Sequence, residues 1–149
     1  MSGVGASLEL QGLDRLNNVL SRLRGVDTQQ LVSVLGGVVE DQTKKRIIDE
    51  RESPDGDAWA EWSPWYADTR HGNQELLQSG GGLVDSIQSL IGFGAAEIGT
   101  NLDYAATHNY GDVSRGIPQR EFIGVSTDNL DDLQSTLDGW ANDLIQGAL

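Results

Sequence analysis

The sequence predicts an α+β domain, and three observations carry that prediction. Two stretches, one starting near Asp27 and one near Ser126, repeat apolar residues at the three- and four-residue spacing of a helix face. Between them, residues 86–100 alternate and turn like a β-hairpin. Nineteen glycines against three prolines point to many turns and close backbone approaches, which suits a mixed domain better than a helical bundle. The expected arrangement is a long N-terminal helix and a C-terminal helix packed on a small antiparallel sheet. The 149 residues are read as a single domain, with 1–9 as a flexible arm.

Taken in order, the arm has room for an edge strand over residues 6–10. Leu13, Leu16, Leu20 and Leu23 then share one face of a short helix that stops at Gly25. Asp27 is a good N-cap for the next helix, Gln30 stands where a capping box needs it, and Val26 and Leu31 sit at staple positions. Leu31, Val34, Leu35 and Val38 form its apolar face. Gly36-Gly37 interrupts the pattern and marks either a kink or the close approach of a neighbouring backbone. Beyond Glu40 the helix becomes strongly charged, through Lys44-Lys45-Arg46, and this end is expected to project before Pro54 closes it.

Ser53-Pro-Asp-Gly-Asp is turn chemistry. Asp55 and Asp57 lack the remaining ligands of a calcium loop. Trp59, Trp62 and Trp65, with Tyr66, place four large aromatic rings within eight residues. At least one of the tryptophans is expected in the core and at least one against another chain. Residues 68–73 are polar and read as mobile, and Gly80-Gly81-Gly82 as flexible spacing. Ile87, Ile91 and Phe93 mark one face of a strand, Gly94 the turn, and residues 97–100 the return strand. Ser126, Thr127 and Asp128 are candidate caps for a last helix carrying Leu130, Leu133, Leu137, Trp140 and Leu144 on one side.

Composition narrows the function. No cysteine is present, which removes disulfides and thiolate metal sites. No apolar run approaches the roughly 20 residues of a membrane span, and the N-terminus lacks the pattern of a secretion signal. The formal charge of −13 repels nucleic acid and anionic lipid at long range. It reads as solubility, or as a surface that DNA must pass without sticking.

The densest chemistry lies between Tyr104 and Gly124, which holds two of three tyrosines, one of two histidines and one of three prolines. His108 with Asp103 or Asp112 has the makings of a base and its orienter, but no nucleophile accompanies them. Neither histidine has a metal-ligand spacing, and phosphate-loop and dinucleotide fingerprints are missing. No catalytic, metal or cofactor residue is assigned.

The order of motifs is more telling than any single one. Pro54-Asp-Gly-Asp-Ala-Trp59, Ser63-Pro64, Leu76-Leu77-Gln-Ser-Gly, Leu83-Val-Asp-Ser-Ile87 and Ile98-Gly99 occur in series. Tyr104-Ala-Ala-Thr-His108-Asn-Tyr-Gly111 and Ile117-Pro118-Gln-Arg120-Glu-Phe122-Ile-Gly124 follow. Over roughly residues 27–145 the series resembles the virion morphogenesis, or tail completion, proteins of tailed bacteriophages of the Mu and P2 type. Trp62, Trp65 and the triple glycine depart from that pattern locally.

The resemblance implies a structural protein without enzymatic activity or cofactor, standing at the neck or the top of the tail in the virion and assembled in the host cytoplasm. Its implied partners are itself, as a six-fold ring, the head–tail connector and the tail-tube proteins. Phage DNA would pass through without sequence-specific binding, and no membrane is involved. A tail terminator on the last tube ring is the competing role, and a glycan-binding module using the tryptophans is the reading from another class. Within the assembly reading, Tyr104 and His108 fix a loop, Gly111 and Gly116 bend it and Pro118 stiffens its exit. Arg120 becomes the expected ion-pair donor and Phe122 the anchor into the core.

Overall fold

The structure is a computed structural model that describes residues 3–8, 26–70, 72 and 74–148. The helix expected from Leu13 to Leu23, with its stop at Gly25, lies outside these residues, as do His71 and Asn73. Strand β1 (Val4–Leu8) precedes helix α1 (Thr28–Lys45), which runs on into a wider π-helical turn, Arg46–Glu50. Short helices α2 (Pro64–Ala67) and α3 (Gly82–Ser86) lead to the hairpin of β2 (Gln88–Gly92) and β3 (Ala95–Thr100). Helix α4 (Ala105–Tyr110), a 3-10 turn (Val113–Arg115) and helix α5 (Thr127–Ala148) complete the order. The sheet is antiparallel with order β1-β3-β2, so the fold is α+β.

Where a flexible arm was expected over residues 1–9, Val4–Leu8 pairs with β3 from Val4↔Thr100 to Leu8↔Ala96, and Val4 is buried. Alternation is the cause: Val4 falls opposite Thr100 on the face that carries Ile98 and Ala96 into the core.

Helix α1 organises the rest. The Asp27 carboxylate caps it by accepting from the Gln29 N–H at 2.9 Å. Leu31, Leu35 and Val39 form its buried stripe. The helix runs through the double glycine without a break. A Cβ on Gly36 would lie 2.8 Å from Ile91 Cδ1 and 2.9 Å from Ala96 Cβ, whereas one on Gly37 would meet nothing. Gly36 is therefore the point where the helix presses on the sheet.

The same helix manages the edge of β2. Glu40 accepts from the Ser89 N–H at 2.8 Å and from the Ser89 hydroxyl at 3.0 Å, which occupies an edge donor open to another strand. At the other end of the hairpin, Gln29 Nε2 donates to the Gly92 carbonyl and Gln29 Oε1 accepts from the Gly94 N–H at 3.2 Å. Ile87 is buried and Ile91 lies over Gly36, but Phe93 belongs to the turn and is fully exposed, not part of the expected apolar face.

The charged end of α1 does not project. Arg46 continues the spacing of Leu31, Leu35, Val39 and Thr43, and so points into the protein with no exposed surface. Its guanidinium donates to the carbonyls of Phe122 (3.0 Å) and Gly124 (2.8 Å) and to Asn129 Oδ1.

Of the three candidate caps for α5, Ser126 makes the bonds. The Asn129 N–H donates to its hydroxyl at 3.1 Å, and the Ser126 N–H donates back to Asn129 Oδ1 at 3.2 Å. Helix α5 packs on α1, which itself lies on the sheet: Leu133 is buried, while Leu130 faces solvent. Gln42 Nε2 supports the seam by donating to the Asn129 carbonyl at 3.2 Å.

Candidate assembly groove

An open groove of about 940 Å³ has Glu75 in its lining, which pairs at 2.8 Å with Arg51, just past the π-helical turn. Its two walls come from the two stretches singled out in the sequence: residues 61–66 on one side, and α4 with residues 113–118 on the other. Leu77, Leu83 and Arg120 are among the residues between them.

The tryptophans divide. Trp59 is core, and its indole N–H donates to the Glu121 carbonyl at 3.0 Å. Trp62 is half-buried and meets Tyr66 edge-to-face with ring centroids 6.0 Å apart. Trp65 is 78% exposed. Ser63 starts α2 by accepting from the Tyr66 N–H at 3.4 Å, with Pro64 in the first turn, where its missing donor costs nothing. Arg70 lies over the Tyr66 ring at 4.3 Å. With Trp59 sealed inside, the three tryptophans do not make a shared stacking platform for a sugar.

On the opposite wall, Tyr104 and His108 stand on and before a helix rather than in a loop. Their rings meet edge-to-face at 6.0 Å. The His108 imidazole was expected to fix the turn, but its Nδ1 is buried without a hydrogen-bond partner. The fixing is done by main chain instead: the His108 carbonyl accepts from the Arg120 N–H at 2.8 Å. Burial lowers the pKa of His108 below its usual value, and the positive charges of Arg120 and Arg115 push the same way, so the ring is neutral at pH 7. A neutral imidazole whose Nδ1 holds no carboxylate lacks the orienter of a base pair.

Residues 112–117 form a closed loop, with Asp112 and Ile117 exchanging main-chain bonds of 2.8 and 2.9 Å. Asp112 caps its 3-10 turn through the Ser114 hydroxyl at 2.6 Å and the Arg115 N–H at 3.2 Å. These bonds and nearby Arg115 hold its carboxyl below the ordinary range. Gly111 is required where the loop begins: its φ is +74°, and a Cβ would sit 2.8 Å from the Gln119 nitrogen. Pro118 follows the bridge and is exposed.

Arg120 is not the ion-pair donor expected of it. It is buried, and its Nε and Nη2 donate to the main-chain carbonyls of Ala60 (2.8 Å) and Glu61 (3.1 Å). Burial lowers its pKa, opposed by the charge of Glu61. The side chain thus ties residues 60–61 to the segment that follows Pro118. Phe122 is fully buried.

Three groove-shaping residues escaped the sequence reading. Asn109 Oδ1 accepts from the N–H groups of Phe122 (3.1 Å) and Ile123 (3.0 Å), and nothing local distinguishes it from a solvated asparagine. Arg46 holds the neighbouring carbonyls, and its place on the apolar stripe of α1 was the available signal. Leu77 lines the groove with φ at +59°, a left-handed backbone that costs a non-glycine residue about 1–2 kcal/mol.

Among the described residues, no group of three or more His, Cys, Asp or Glu side chains is placed to hold a metal ion, and no helix is long and apolar enough to cross a membrane. No curated protein and no solved structure matches the chain significantly. The profile of the phage virion morphogenesis family matches residues 8–141, nearly the whole chain, and the protein belongs to that family.

Proposed function

We propose that this virion-assembly protein completes the phage tail and joins it to the head, as a ring at the neck. The observation that carries the reading is the groove itself. Two segments far apart in sequence, 61–66 and 104–120, are fastened together by Arg120 into one aromatic cleft with Trp65 78% exposed. Rigid, exposed aromatic anchors beside a preformed cleft are what a protein interface needs, and an assembly family supplies the context.

The partners in this reading are further copies of the chain, six to a ring, together with the connector above and the tail tube below. The formal charge of −13 per copy suits a lumen that lets DNA slide rather than bind. Imaging particles from phage that lack the protein tests the role. Full heads accumulating beside free tails of normal length support joining, and tails of uncontrolled length favour the terminator role. Normal infectious particles overturn both.

A further inference from the structure

The short segment from Glu75 to Gln78, in the wall of the groove, holds a backbone conformation that its residue types do not favour. Among the described residues only Arg51 and Leu77 have a left-handed backbone without being glycine, with φ of 55° and 59°. Arg51 ends the π-helical turn, where a left-handed residue is an ordinary stop. Leu77 ends no helix. The Gln78 N–H donates to the Glu75 carbonyl at 3.0 Å, so residues 75–78 close a β-turn. Leu77 stands third in that turn with positive φ, and Leu76 before it has negative φ, the sign pattern of a type II turn.

The third place of a type II turn normally takes glycine or asparagine, because a Cβ there crowds the backbone. A leucine is disfavoured in it by roughly 5- to 30-fold. The side chain gives the reason for its presence: Leu77 packs partly against the core and lines the groove. The rest of the turn is fastened without its help. Glu75 pairs with Arg51 at 2.8 Å, Leu76 is buried, and Gln78 Nε2 donates to the Ile47 and Ile48 carbonyls at 3.0 and 3.3 Å.

Types I and II differ by the orientation of one peptide. Turning the central peptide over takes ψ of the second residue from about +120° to about −30° and φ of the third from about +80° to about −90°, while the ends stay in place. We propose that the Leu76–Leu77 peptide is a two-state element of the groove wall. Its type II form is held by the packing of Leu77, and its type I form relaxes the Leu77 backbone. Each flip exchanges the Leu76 carbonyl and the Leu77 N–H between the two sides of the turn and re-aims the Leu77 side chain. The wall between Glu75 and Ser79 therefore has two hydrogen-bonding faces. A ligand donor selects one and a ligand acceptor the other, each shifting the population only as far as it discriminates. This switch does not depend on what fills the groove, and so stands apart from the assembly reading.

Nuclear magnetic resonance of the full-length chain tests it. A strong Overhauser contact from the Leu76 Hα to the residue 77 amide marks type II, and a strong contact between the amides of 76 and 77 marks type I. The wild type is expected to show the type II pattern with roughly 1–10% of the flipped form, seen as relaxation dispersion at the amides of residues 76–78. Leu77→Ala removes the packing and keeps the disfavoured backbone, so the type I contact becomes the stronger one. Leu77→Gly removes both, so the type II pattern remains, and Leu77→Asn, which also tolerates the left-handed region, behaves likewise. Leu77 is only partly buried, so all three variants are expected to fold, and circular dichroism checks it. A flat dispersion profile in the wild type, or a type II pattern surviving in Leu77→Ala, overturns the proposal. Either result leaves the particle imaging that tests the role at the neck unaffected.

Discussion

Arg46 and Asn129, 83 positions apart, share a buried hydrogen bond that joins the end of the first long helix to the start of the last. The same asparagine oxygen accepts from the Ser126 N–H, and the same guanidinium holds the carbonyls of Phe122 and Gly124. One cation thus organises the exit of the groove-forming segment. Replacing Arg46 with alanine removes the guanidinium donors of the Phe122 and Gly124 carbonyls and one of the two donors to Asn129 Oδ1, and is expected to cost about 3–5 kcal/mol, beyond what a surface lysine or arginine contributes. Asn129→Ala, which removes one bond and half a cap, should cost about 1–2 kcal/mol. Urea unfolding of both single variants and the double variant measures the coupling, and strict additivity would mean the two residues act independently.

Arg120 behaves as an internal tie, so Arg120→Ala is expected to destabilise the isolated protein by about 2–3 kcal/mol through the loss of two charge-assisted hydrogen bonds. This replaces the sequence-based expectation of Arg120 as an ion-pair donor. A chemical-denaturation curve identical to the wild type would restore the surface role.

The adjacent glycines of α1 should respond with opposite signs. Gly36→Ala forces a methyl into Ile91 and Ala96 and is expected to destabilise by about 1–3 kcal/mol. Gly37→Ala meets open space in a helix and should stabilise by about 0.5–1 kcal/mol. Thermal midpoints of the two variants decide the matter, and equal shifts would contradict the close contact.

His108 imposes a pH dependence whose sign follows from its burial. Its folded pKa lies below the ordinary value of 6.5, so between those two pH values the unfolded chain binds more protons. The contribution is complete above about pH 6.5 and is lost as pH falls towards the folded pKa. Denaturation midpoints between pH 5 and 8 should therefore fall less steeply for His108→Gln than for the wild type. Parallel profiles would show that the ring is not desolvated in the fold.

Much of the architecture was legible from residue order because it depends on local rules. The cap at Asp27, the turn at residues 53–57, the hairpin near residues 88–100 and the amphipathic C-terminal helix each follow from spacing or side-chain chemistry within a few positions. The two stretches that build the groove were also marked in advance by their aromatic and backbone-bending residues. A close reading of periodicity would have placed Arg46 inside as well, since it continues the stripe of Leu31, Leu35 and Val39.

What the chain order could not hold is which distant groups satisfy one another. An exposed arginine and a buried one are written alike; Arg120 became internal only because residues 60–61 fold across it with bare carbonyls. Asn109 and Asn129 became hubs for the same reason, each meeting main-chain groups that burial cut off from water. The sequence by itself determined the elements and the aromatic, glycine-bent stretches of the groove, because propensity and periodicity are local. Tertiary structure alone decided that those stretches face each other, and that Trp59 turns inward while Trp65 stays outside. Those outcomes depend on long-range hydrogen bonds and on the close approach at Gly36 that helps set the helix on the sheet.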